Sequence, residues 1–120
     1  MFKHVSDGIQ WIETQLKFKP KSDLNRMAVA YQMLGINLDH IKKIHVAGTN
    51  GKGSVCAMVS HILMEEGYKV GTYTSPYLLQ FNERIRIDFL PIEDSDLHAR
   101  INEIYAFNAR FEKDYGESLS

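Results

Sequence analysis

The sequence is short of several things, and each shortage removes a class of protein. One cysteine, Cys56, permits no internal disulfide and no cysteine-based metal cluster, so a reducing, cytoplasmic location is expected. After Met1-Phe2-Lys3-His4 no apolar run reaches signal-peptide or membrane-spanning length, and no membrane partner is expected. Lys+Arg number 14 against Asp+Glu 15, which leaves no basic excess to grip a phosphodiester backbone, so no nucleic-acid partner is expected either. Internal repeats and low-complexity segments are lacking too. What remains, 44% hydrophobic and 24% charged over 120 residues, has the balance of a soluble globular chain of at most one domain.

What is present is a stretch around which the rest is arranged: Ile44-His45-Val46-Ala47-Gly48-Thr49-Asn50-Gly51-Lys52-Gly53-Ser54. It reads as a short β-branched strand, a glycine-rich turn and the start of a helix. Gly48, Gly51 and Gly53 can take backbone angles closed to residues with a Cβ, so successive N–H groups can curl around an anion. The helix, beginning near Gly53, adds unpaired first-turn N–H groups and the positive end of its dipole. Lys52 brings a full charge within reach of the β- and γ-phosphates of a nucleotide, and Ser54 a hydroxyl that faces a nucleotide-bound magnesium ion. An ordinary glycine turn explains the glycines but not the lysine, whose charge opposes the dipole unless an anion is bound. Gly53 stands where the usual P-loop places Ser or Thr directly after Lys. A dinucleotide-binding turn fits less well, because Cys56 occupies the place of the third small residue.

Val5, Ile9, Ile12 and Leu16 recur at helical spacing and predict a first helix with one apolar stripe, Trp11 beside it. Phe18-Lys19-Pro20-Lys21 ends that helix, and Ser22 is the expected N-cap of a second. The second presents Leu24, Met27, Ala28, Tyr31 and Leu34 and stops at Gly35. A third runs from about Gly53 to Glu66 and stops at Gly67, with Val55, Met58, Val59, Ile62 and Leu63 inward and Cys56 a small buried residue. The strand Lys69-Val70-Gly71-Thr72-Tyr73 follows. Strand, helix and strand of this length predict a right-handed parallel crossover, hence an α/β fold with a P-loop-type parallel sheet flanked by helices. Both strands then open on one sheet edge, which sets the loop Thr74-Ser75-Pro76-Tyr77 beside the phosphate turn. Ile85-Arg86-Ile87-Asp88 alternates as a half-exposed strand, and Phe89-Leu90-Pro91-Ile92 is a return strand or turn. Glu93, Asp94 and Asp96 open a last helix whose buried face is Leu97, Ile101, Ile104 and Phe111, with His98 exposed. In so short a chain the apolar faces of this helix and of the sheet have no evident cover, and self-association or marginal stability is expected.

Four pieces in this order, His45 to Ser54, Gly67-Tyr68-Lys69-Val70-Gly71, Thr74-Ser75-Pro76 and Asn82-Glu83-Arg84-Ile85, closely resemble folylpolyglutamate synthase and its bifunctional dihydrofolate synthase relatives in the Mur ligase superfamily. The resemblance covers nearly the whole chain, weakly in the first helix and strongly from His45 to Ile87. It implies ATP-dependent amide formation: a folate or dihydropteroate carboxylate is phosphorylated, and the amine of L-glutamate attacks the acyl phosphate. By match of motif, Gly51, Lys52 and Gly53 hold the triphosphate, Lys52 in the catalytic role, with Thr49 and Asn50 shaping the loop. Ser75 matches the family serine that binds magnesium. The run from Ser75 and Pro76 to Arg84 resembles the mobile loop over the pterin-bearing substrate, where Tyr77 and Phe81 stack and Arg84 orients; plain loop packing is the other reading of these aromatics.

The sequence departs from that pattern at Tyr77, where a histidine commonly follows Ser-Pro, and at Phe89-Leu90, where relatives often have a glycine turn. Ser118-Leu119-Ser120 resembles the lead-in to the family's next helix. The resemblance therefore implies that residues 1–120 are the N-terminal portion of the ATP-binding ligase domain, an inactive fragment without the glutamate-binding C-terminal domain. Two other readings of the same residues stay open: a stand-alone P-loop nucleotide-binding or regulatory module without ligase activity, and a P-loop kinase. Gly53 and the Thr74-Ser75-Pro76 match disfavour the kinase.

Overall fold

The computed structural model describes residues 1–15 and 24–119. Leu16 of the first expected stripe, the helix break expected at Phe18-Lys19-Pro20-Lys21, the cap at Ser22 and the terminal Ser120 lie outside them. The chain divides into two compact units, Met1–Lys42 with His98–Ser120, and Lys43–Leu97.

The first unit contains α1 (Val5–Gln15), α2 (Leu24–Leu34) and most of α4 (Asp94–Tyr115). Its core is Ala30 of α2 against Phe107 and Phe111 of α4, with Val29, Met33, Tyr115 and Leu119 packed around them. The expected face of α2 is thus the wrong one. Leu24 and Met27 are 89% and 62% exposed, and Tyr31 and Leu34 are exposed too, while small Ala30 lets α4's phenyl rings approach. A helix apolar on more than one side does not announce which stripe its partner will cover. On α1 the closest approach is at Gly8, where an added Cβ would lie 2.6 Å from Ile101 Cγ2. Trp11, Phe2 and Tyr105 form an aromatic trio with centroids 4.8–5.8 Å apart, Tyr105 edge-on to both others and Phe2 tilted against Trp11. His98 is not the exposed residue expected: its Nε2 lies 2.7 Å from the Phe2 carbonyl, and Asn102 Oδ1 accepts the Phe2 N–H at 3.0 Å. These two residues, one helical turn apart, pin the start of the chain to α4. Arg26 pairs with Glu117. Ile101, Phe107 and Phe111 of α4 are covered, contrary to the expectation of a bare last helix; Ile104 is 41% exposed.

The second unit contains α3 (Lys52–Glu65) and the strands β1 (Gly71–Tyr73), β2 (Ile85–Ile87) and β3 (Leu90–Pro91). α3 ends in paired 5→2 and 6→1 bonds, Gly67 N–H to Met64 O and Tyr68 N–H to Leu63 O, each at 3.0 Å, with Gly67 at φ +90°. The three strands form one antiparallel sheet in the order β1-β2-β3, Thr72 opposite Arg86 and Ile87 opposite Leu90. The stretch Ile44-His45-Val46 joins no ladder among the described residues, and Ile44 is exposed. The expected parallel pair is therefore not formed there. The crossover rule fixes the hand of a connection, not the adjacency of its strands, and β1 spends an edge on β2. The β2–β3 hairpin does close without glycine: Asp88 and Phe89 both take positive φ, +48° and +62°. Asp88 is locked in place by exchanging two bonds with Val70, its N–H to Val70 O at 2.8 Å and its Oδ1 from Val70 N–H at 2.9 Å.

α3 also turns a different face than expected. Ser60 is its buried residue, hydrogen-bonded to Thr72 of β1 at 2.8 Å, with Cys56, Val59 and Leu63 half-buried alongside. Val55, Met58 and Ile62 are exposed. The short sheet offers α3 a hydroxyl rather than a broad apolar surface, so a polar pair sits where a methyl contact was expected. Among the described residues, no helix is long and apolar enough to cross a membrane.

Candidate functional site

Gly51 is the N-cap of α3, at φ +77°, ψ 3°, a conformation that costs a residue with a Cβ roughly 1 kcal/mol or more. No side chain caps the helix there, and the first bond of α3 is Val55 N–H to Gly51 O at 3.0 Å. The N–H groups of the first turn are thus free to meet an anion. Lys52 folds back along the loop and donates from Nζ to the Gly48 carbonyl at 2.5 Å. The bond gives the ammonium one acceptor but leaves its charge beside the positive end of the α3 dipole, where a bound anion would offset it.

Thr49, Asn50, Gly51, Lys52 and Gly53 line one side chain-and-backbone cavity of about 510 Å³ together with Thr74, Ser75 and Pro76. The two turns expected to converge do converge, although the sheet that delivers the second is antiparallel. The rest of the lining is Leu78, Glu83, Arg86 and Phe89. Gly48 and Ser54 are not among the lining residues, though the Gly48 carbonyl holds Lys52, which is.

Tyr77, Phe81 and Arg84 come together but do not line that cavity. The Arg84 guanidinium carbon lies 5.2 Å from the Tyr77 ring centroid and 5.3 Å from that of Phe81, and the two rings meet edge-on at 5.8 Å. Arg84 Nε is buried without a hydrogen-bond partner, a cost that attraction between the cation and the ring faces offsets. These three are thus placed by loop packing, and their roles toward a ligand stay those of the resemblance.

Two charged residues at the site were not singled out from sequence. Arg86 was read only as the polar side of an alternating strand; its Nη1 donates to Thr74 Oγ1 at 3.3 Å and its guanidinium lies 5.0 Å over the Phe89 ring. Glu83 was read only as part of a motif. Its carboxylate accepts the N–H groups of Leu78 at 3.1 Å, Leu79 at 2.8 Å and Gln80 at 2.6 Å. Those bonds, from Gln80 first, then Leu79 and Leu78, hold its carboxyl below the usual carboxylate range despite some desolvation, and Arg86 adds to the effect. The i, i+3 spacing of Gln80 and Glu83, a capping box in the structure, is the sequence signal that could have found it. Nothing in the alternation around Arg86 marks that residue.

No protein-family profile matches the chain. Individual proteins do. The dihydrofolate synthase/folylpolyglutamate synthase of Bacillus subtilis is 45% identical over 104 residues, 87% of this chain and 24% of that protein. The apo structure of Lactobacillus casei FPGS superposes with a TM-score of 0.85 at 32% identity, over 96% of this chain and 28% of that one. A structure of FPGS in complex with AMPPCP and folate gives the same TM-score, 0.85, at 32% identity over the same 96% and 28%. The chain spans about a quarter of the length of the curated relatives it matches. At this likeness the fold is part of an α/β domain of the Mur-ligase kind, as the sequence implied, the small antiparallel sheet being what the described residues contribute to it.

Proposed function

The chain belongs to the folylpolyglutamate synthase/dihydrofolate synthase family, and from that premise we propose that it carries the phosphate-binding part of a cytoplasmic ATP-dependent ligase that joins L-glutamate to a folate or dihydropteroate carboxylate. The observation that carries the reading is the single cavity shared by the glycine turn, residues 49–53, and the Thr74-Ser75-Pro76 turn. The open first-turn amides of α3 take phosphate oxygens, and Lys52, released from the Gly48 carbonyl, neutralises charge as the terminal phosphoryl group moves to the carboxylate. The amine of glutamate then attacks the acyl carbon, phosphate leaves, and an amide remains.

A magnesium ion fits this site. The ion favours oxygen donors and is commonly held by one or two protein groups with phosphate oxygens and water, and hydroxyl residues line the cavity. Of the hydroxyl residues lining the cavity, Thr49, Thr74 and Ser75, the resemblance assigns that role to Ser75. When bound, the ion supplies charge neutralisation at the transferring phosphoryl group. Tyr77, Phe81 and Arg84, on the same loop as Ser75, form the folate-side element of this proposal.

Calorimetry with Mg-ATP tests the reading. Wild type is expected to bind and Lys52→Ala to lose about 1.5–3 kcal/mol, tenfold or more in affinity, as for a lost bond to a charged group. Equal heats from both would sink it. A coupled assay with ATP, glutamate and a folate acceptor is expected to show no ligation by residues 1–120 alone, because both substrates and ATP must be aligned at once. Sustained turnover would refute the fragment reading. The exposed stripes of α2 and α3 are expected to drive self-association of the isolated chain, which sedimentation measures.

A further inference from the structure

Residues 78–80 lie in neither helix nor strand, and the side chains of Leu78 and Leu79 are 89% and 88% exposed, so apolar packing does not order them. Yet their three consecutive N–H groups all end on one carboxylate, that of Glu83, at 3.1, 2.8 and 2.6 Å. Glu83 returns its own N–H to the Gln80 carbonyl at 3.1 Å, which closes the segment onto the turn Phe81–Arg84. Leu78 and Glu83 both line the cavity that holds Lys52 and Ser75. We propose that Glu83 is a positioning residue: by gathering these three amides it fixes the Leu78–Gln80 backbone, and with it one wall of the phosphate cavity. The inference rests on the nucleotide reading above for its ligand, though not for its geometry.

The chemistry requires the ionised form. A carboxylate only accepts, with two oxygens and about four lone-pair positions, so it can serve three donors. The amide of a Glu83→Gln variant keeps one acceptor oxygen and turns an NH2 donor toward N–H donors. Arg86 on β2 adds a charge that favours the carboxylate, and Arg84 follows Glu83 on the same turn. Because its folded pKa lies below the ordinary value, the clamp is complete above the ordinary carboxylate range and is lost as pH falls through the folded value.

Amide hydrogen exchange read at Leu78, Leu79 and Gln80, with Gly67 and Tyr68 at the end of α3 as controls, tests the proposal in wild type and Glu83→Gln. At neutral pH the three amides are expected to exchange about tenfold faster or more in the variant, with the controls unchanged. The difference should shrink toward zero as the wild type is acidified. Mg-ATP affinity should weaken about threefold or more in the variant. Equal exchange in the two proteins, or a difference that persists unchanged at low pH, overturns the clamp; faster exchange with unaltered Mg-ATP affinity overturns its role at the site. If the control amides also speed up in Glu83→Gln, the acid titration of wild type alone decides: protection at 78–80 that outlasts the controls as pH falls overturns the proposal, and protection lost before them upholds it. Wild type that binds no Mg-ATP sinks the nucleotide reading and the role at the site with it, while the exchange data still report whether the carboxylate holds the segment.

Discussion

The two units of the chain are held by different means. Met1–Lys42 with His98–Ser120 buries Ala30, Ile101, Phe107 and Phe111, apolar side chains contributed by helices and packed on one another. In Lys43–Leu97 two of the three most buried side chains, Ser60 and Asn82, are polar, and each is bonded: Ser60 to Thr72, and Asn82 from Nδ2 to the Ile92 carbonyl at 2.7 Å and to Asp94 Oδ1 at 2.9 Å. Packing is non-directional and tolerates small shifts; hydrogen bonds fix direction. The unit that carries the candidate site is the one stapled by directional bonds, which is what a cavity built from loop backbone requires. It has correspondingly little apolar burial to spare, and the two units should respond differently to substitution.

The largest contrast is expected from Phe111→Ala, which empties a fully buried position of the first unit. A loss of about 3–5 kcal/mol is expected, read as a fall in the denaturation midpoint. A cost below 1 kcal/mol would mean that this aromatic cluster is not the core. Next is Gly8→Ala. Helix propensity alone favours alanine by about 1 kcal/mol, but the new Cβ would sit 2.6 Å from Ile101 Cγ2, and overpacking costs typically about 1–3 kcal/mol. The overlap is with a branched methyl on a packed helix rather than the end of a flexible chain, so net destabilisation is expected, and Ile101→Ala should relieve it. Additive losses in the double variant would show that the two helices do not meet at this point.

Most elements were legible, the strand expected at Ile44-His45-Val46 being the exception. All four helices and the alternating strand at Ile85-Arg86-Ile87 appear within a few residues of the periodicities that announced them, and Gly35 and Gly67 stop their helices at positive φ. The convergence of the glycine turn and the Ser75 turn was expected too, though from a parallel strand pair that the described residues do not form. The faces of α2 and α3 were not. Both helices carry apolar residues around much of their circumference, and periodicity ranks stripes by bulk, whereas the partner decides: two phenyl rings chose Ala30, and a threonine hydroxyl chose Ser60. His98 and Asn102 were illegible for a related reason, since their partner is the backbone of Phe2, about a hundred residues away. The hairpin at Asp88-Phe89 lacks the glycine that signals such turns; its conformation is enforced from outside, by Val70 and by Phe89's contacts with Arg86 and His61.

In the second unit the expected losses are smaller and of a different kind. Ser60→Ala leaves the Thr72 hydroxyl without its buried partner and should cost about 0.5–1.5 kcal/mol. Replacing both, with Ser60→Ala and Thr72→Val, should return most of that, because removing both ends of a buried hydrogen bond strands neither. A double variant that loses the sum of the two singles would mean that the pair acts by shape and not by satisfying each other's polarity.

The smallest effect is expected on the stripe Val55, Met58 and Ile62, and it separates stability from association. Met58 is 63% exposed, so a charge placed there meets water, and Met58→Glu should change the unfolding free energy by no more than about 0.5 kcal/mol. The same charge in the middle of an apolar stripe opposes any contact that would bury it, because an unpaired buried carboxylate is far costlier than an exposed one. Sedimentation should therefore show the variant less associated than wild type, with the melt unmoved. If the melt falls by several kcal/mol instead, the stripe is covered within the unit and the contrast between a packed unit and a stapled one fails at this helix.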